Sequence, residues 1–82
     1  MRRTVPRCVH LPGYDIVVQR FSDADADKLM GAGVFAEWDV TEHEIHLRTS
    51  RKGQELREDF EHELAHAFID WRDHFLGKSE VS

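Results

Sequence analysis

Residues 58–76, "EDFEHELAHAFIDWRDHFL", decide how the rest of the chain is read. At about 100° per residue from Leu56, the side chains of Phe60, Leu64, Ala67, Phe68, Trp71 and Phe75 fall between about 20° and 120°. That stripe is wide enough to serve as the main core contact of a small sheet. His62, His66, Asp59 and Asp73 cluster between about 240° and 300°, with Asp70 and Glu63 just beyond, at about 320° and 340°. The periodicity predicts one long helix from Gln54 to about Leu76, ended by Gly77. Glu63 lies on the boundary between its wet and dry faces.

Working outward, the segments before this helix alternate with period two. Residues 43–49 (HEIHLRT) turn Ile45 and Leu47 one way and Glu44, His46 and Arg48 the other. Residues 34–40 (VFAEWDV) precede them across Thr41-Glu42, which predicts an antiparallel hairpin. Tyr14 to Arg20 (YDIVVQR) reads as a strand opening after the turn pair Pro12-Gly13. A short strand over Thr4 to His10 would be held to a sheet edge by Pro6. Ser22 to Met30 begins with an N-cap residue and stops at Gly31, so a short helix is expected. Its alternating Asp23, Asp25 and Asp27 lack the glycine and distal glutamate of a calcium loop. The expectation is one α+β domain over residues 1–82, a small antiparallel β-sheet packed on a long C-terminal helix. Residues 1–13 would form an N-terminal arm and 78–82 a frayed tail.

Composition narrows the function. Eighty-two residues suit one small domain of marginal stability, to which a bound metal or a partner would add. Sixteen acidic against eleven basic residues give a net charge of −5, which argues against a nucleic-acid binder. No apolar run is long enough to span a bilayer. Basic Met1-Arg2-Arg3 is followed by no apolar segment, which argues against a secretory signal. The single cysteine, Cys8, fits a reducing compartment, and a cytoplasmic location is expected.

The chemistry lies in His62-Glu63-Leu64-Ala65-His66. Four residues rise about 6 Å along a helix and stack the two imidazoles on neighbouring turns, where both can reach one Zn²⁺ at about 2.0–2.1 Å. Glu63 sits too far round to share the ligation. It is placed instead to take a proton from a water that the metal acidifies toward a pKa of about 7. Roughly 0.04 such motifs arise by chance in a chain of this composition, so its setting on the core-flanking helix matters to the reading.

The stretch "HELAHAFIDW" resembles the active-site helix of zincin (HExxH) metallopeptidases, thermolysin-like and ImmA/IrrE-type branches included. The order sheet, "EHEIHLRTS", then helix looks like the small phage- and plasmid-borne proteins of that group. The likeness covers roughly residues 34–76 and implies His62 and His66 as zinc ligands and Glu63 as the base. It also implies an edge strand over His43 to Thr49, with Glu44, His46 and Arg48, along which an extended peptide substrate would lie. The chain departs from the group in its third ligand, usually a glutamate about twenty or more residues past the second histidine. Sixteen residues follow His66 here, and Glu80 is too close to match.

Other candidates for that place, or for a position behind the ligands, are Asp70, His74, His43, His46 and Cys8. Asp70 is better spaced to orient the His66 ring than to reach the ion. The expected function is a zinc-dependent metallopeptidase acting on a protein or peptide. The alternative is a zinc-stabilised binding module without catalysis, and a weaker one a metal-free interaction domain. An exposed hairpin edge would allow a homodimer.

Overall fold

The computed structural model describes residues 5–75. Strand β1 (Cys8–Leu11) and strand β2 (Tyr14–Phe21) form an antiparallel hairpin, Val9 opposite Ile16 and Leu11 opposite Tyr14. Pro12 and Gly13 make the turn, and Gly13 has a φ of 94°, a conformation that costs glycine nothing. The short edge strand expected over Thr4 to His10 is present, shifted to begin beyond Pro6, and it is paired along its length.

Along β2 the pleat buries Ile16 and Val18 and leaves Asp15, Val17 and Gln19 exposed. Helix α1 (Asp23–Met30) follows at once. The Ser22 hydroxyl accepts from the Asp25 amide at 3.3 Å, and Gly31 (φ 108°) closes the far end by donating its N–H to the Asp27 carbonyl. Strands β3 (Ala36–Asp39) and β4 (Glu44–Arg48) make the expected hairpin, Glu37 opposite His46 and Asp39 opposite Glu44. Helix α2 (Gly53–Phe75) completes the fold. No helix among the described residues is long and apolar enough to cross a membrane.

The sheet order is β1-β2-β4-β3, and β4 runs parallel to β2. The α+β class is as expected, but the sheet is mixed rather than antiparallel. A parallel neighbour needs a long crossover, and α1 with β3 supplies it, so that β4 returns into the middle of the sheet. The expectation that residues 43–49 form an edge strand is thereby overturned. Hydrogen-bonded partners flank β4 on both sides, and the edges are β1 and β3.

Both faces of β4 are buried. On one, Ile45 and Leu47 are fully enclosed with Ile16, Val18 and, from α2, Leu56, Phe60 and Ala67. On the other, Arg48 reaches across to α1 and its exit loop. Its Nε donates to the Val34 carbonyl at 2.7 Å, one Nη to Asp27 Oδ1 at 2.8 Å and the Gly31 carbonyl at 3.1 Å, the other to Asp23 Oδ1 at 3.1 Å. The two aspartates hold the guanidinium's pKa above its ordinary value through these hydrogen bonds. A planar fork of donors fits this set of acceptors, and a lysine would leave several unmet.

The roll of α2 differs slightly from the pattern reading. Leu56, Phe60, Glu63 and Ala67 face down, and Phe68 is 42% exposed. Hydrogen bonds from both tryptophans fix this roll, Trp38 Nε1 to Asp70 Oδ2 and Trp71 Nε1 to the Pro12 carbonyl at 2.7 Å.

With so few enclosed side chains, each one weighs heavily. Ile45→Ala is expected to cost about 2–5 kcal/mol. At roughly 4–8 °C per kcal/mol for a domain of this size, thermal unfolding followed by circular dichroism should show a fall in Tm of roughly 10 °C or more.

Candidate metal centre

The middle of α2 carries the motif. His62 and His66 are exposed, and their rings meet edge to face with centroids 4.9 Å apart. Their Nε2 atoms lie 3.3 Å from one another. Two ligands at about 2.0–2.1 Å from a tetrahedral ion stand about 3.3–3.4 Å apart, so the ring nitrogens already have the separation that one Zn²⁺ requires. Without an ion, a single proton can bridge the same gap, one ring donating to the other.

Glu63 points the other way, toward the sheet. It is only 9% exposed, yet no buried side-chain polar atom among the described residues lacks a hydrogen-bond partner, so its carboxylate oxygens still reach solvent. Burial raises its pKa above the ordinary glutamate value. The nearby His62 and His66 pull it down, and Glu37 and Asp59 push it up again. A carboxylate with enhanced proton affinity, next to two convergent imidazoles, is suited to accept a proton from water.

The remaining predicted residues are not brought to this pair. No Cys, His, Asp or Glu among the described residues adds a third ligand atom within 4.8 Å of both Nε2 atoms. Asp70, expected to orient His66 or complete the ligand set, receives the Trp38 indole N–H instead. His74 lies at a cleft of about 260 Å³ lined also by Tyr14, Val40, His43, Asp70 and Asp73. His43 stacks on Tyr14 at 3.9 Å, with Trp38 nearly parallel at 6.2 Å, and serves packing. Burial, then the charge of Asp70, raises the Tyr14 pKa. Cys8 stands on β1, its Sγ 3.9 Å from His10 Nδ1, away from the motif helix. Glu80 lies outside the described residues, as does the tail at 78–82.

Glu44, His46 and Arg48 were expected to line a peptide-binding edge. They sit on an interior strand, and none offers a free edge. His46 and Arg48 are buried and engaged with acids of this chain. Pattern reading gave no role to Glu37 and Asp39, which share the face of β3 that meets His46 and Glu44. The signal was present: two alternating runs joined by a short turn set that register.

Compared with family models, curated proteins and solved structures, the chain matches none.

Glu63 carries a pH signature. Above its raised folded-state pKa the carboxylate is charged in both states, and its partial burial weakens the fold. As pH falls through the folded value toward the unfolded one, the native state takes up the proton first and gains stability. In chelator-treated protein, Glu63→Gln should therefore raise Tm at pH 7, and the two melting curves should converge as pH falls toward 4.5, the ordinary glutamate value. A variant that melts lower at pH 7 would show that the charged carboxylate stabilises the fold instead.

Proposed function

We propose that this protein is a zinc-dependent hydrolase of peptide bonds, with His62 and His66 holding the ion and Glu63 as general base. The observation that carries the reading is the 3.3 Å separation of the two Nε2 atoms, together with the raised pKa of the partly buried Glu63 that follows His62 on the same helix. Bound there, zinc would act as a Lewis acid toward a carbonyl and make water more acidic. Glu63 takes a proton from the attacking water as its oxygen bonds to the carbonyl carbon. It then delivers that proton to the amide nitrogen as the carbon–nitrogen bond breaks. The substrate is an extended protein or peptide segment.

With β4 interior, the strand available to such a segment is β3, which packs on α2 and has one edge unpaired among the described residues. The same edge would serve a homodimer. The free thiol of Cys8 and the acidic charge suit a cytoplasmic setting.

A second reading, a zinc-stabilised binding module, is favoured by one observation: no third ligand from this chain stands beside His62 and His66 among the described residues. In that case zinc contributes mainly to folding free energy.

Two substitutions separate these readings. His62→Ala should retain one zinc fewer per chain after dialysis than the unchanged protein, measured by atomic emission. Glu63→Gln should keep the zinc and lower the rate of cleavage of a peptide library by about 10²–10⁴-fold. Equal zinc in the His62→Ala and unchanged proteins would overturn both readings. Zinc-loaded protein with no peptide cleavage, but with a Tm raised by the metal, would establish the module.

A further inference from the structure

On the hairpin formed by β3 and β4, three acids gather round a buried ring. His46 is 3% exposed, and both its nitrogens face carboxylates. Nε2 stands 2.9 Å from Glu44 Oε1 and Nδ1 3.2 Å from Glu37 Oε2. Phe21 packs edge to face against the ring at 5.4 Å and fixes its plane.

Asp39 completes the group: one ligand atom each from Glu37, Asp39 and His46 lies within 4.8 Å of the others. Asp39 Oδ1 already accepts the backbone amides of Thr41 and Glu42 at 3.0 and 3.1 Å, while Oδ2 makes no hydrogen bond to the described residues. The carboxylate is thereby locked in place with one oxygen to spare.

Charge does not balance within the cluster. Among the described residues no lysine or arginine pairs with Glu37, Asp39 or Glu44. Three carboxylates against one imidazole, even a protonated one, leave a net charge of about −2. A divalent cation on a neutral imidazole halves that excess.

The ring has the arrangement that metal-bound histidines use. A histidine ligand commonly donates its other N–H to a carboxylate, which fixes the tautomer and aims the free nitrogen at the ion. Glu44 is placed to accept from Nε2, which leaves Nδ1 to bind. We propose that Glu37, Asp39 and His46 Nδ1 form a second divalent-cation site, distinct from the His62–His66 pair, with Glu44 as the positioning residue behind His46. One nitrogen and two carboxylates select a first-row transition ion such as Zn²⁺ over Mg²⁺, which prefers oxygen alone.

The test removes the other candidate ligands first. The full chain carrying Cys8→Ser, His62→Ala and His66→Ala, stripped with chelator, is titrated with Zn²⁺ by calorimetry. Those changes lie at other positions, so the outcome does not depend on the hydrolase reading. One Zn²⁺ per chain should still bind, and equimolar Mg²⁺ should not displace it. Added to this background, Glu37→Gln, Asp39→Asn and Glu44→Gln should each weaken Kd by about tenfold or more while far-UV circular dichroism stays unchanged. The His46 Nδ1 resonance should move on zinc addition in the background protein. Absence of binding, a Kd unchanged by Glu37→Gln or Asp39→Asn, displacement by Mg²⁺, or an unmoved Nδ1 resonance would overturn the site.

Discussion

The roll of α2 about its own axis is the constraint on which the motif's geometry depends. Indole donors at both edges of the helix set it: Trp38 from β3 to Asp70, and Trp71 on the helix to the Pro12 turn. Held in this way, α2 turns Glu63 toward the sheet and leaves the His62 and His66 rings in solvent. A roll centred on the apolar stripe alone would bring Phe68 down and lift Glu63 into water. The carboxyl would then lose the burial that raises its proton affinity. Two hydrogen bonds, one to a carboxylate and one to a backbone carbonyl, each contributing only about 1–3 kcal/mol net, thus select between a partly buried carboxyl and an ordinary surface acid.

Strand β4 is the second organising element, because it works on both sides at once. Ile45 and Leu47 make the centre of the apolar core under α2. His46 and Arg48, pointing oppositely, are as well buried, but among acids. Arg48 ties α1 and its exit loop to the sheet, and His46 gathers the carboxylates of the hairpin. A domain this small has little room for buried polar groups without partners, and both side chains have acids in hydrogen-bonding range.

Much of this was legible in the chain. Period-two runs at Tyr14–Arg20 and His43–Thr49 marked strands to within about two residues, and Ser22, Gly31 and Gly13 punctuated the elements where capping and turn chemistry place them. The convergence of His62 and His66 followed from helical rise alone. Strand order did not, because alternation says which side chains share a face but carries nothing about which strand lies beside which. Asp70 was misplaced for a related reason: its spacing from His66 was visible, while the Trp38 indole that claims it comes from thirty-two residues away. Glu37 and Asp39 have no visible role in the sequence because their meaning depends on a register that only the paired hairpin supplies.

The parallel pairing of β2 with β4 also bears on how the molecule assembles. The N-terminal hairpin has no apolar face of its own large enough to persist in water, and its natural neighbour lies beyond α1 and β3. Closing that loop costs chain entropy before the meeting of Val17–Phe21 with Glu44–Arg48 repays it, which makes this the most demanding pairing within the sheet. A one-residue slip at that encounter would send Arg48 and His46 under α2 and expel Ile45 and Leu47. The alternation along β4 thus acts as a proofreading device: only one alignment lets both surfaces of the strand find their kind.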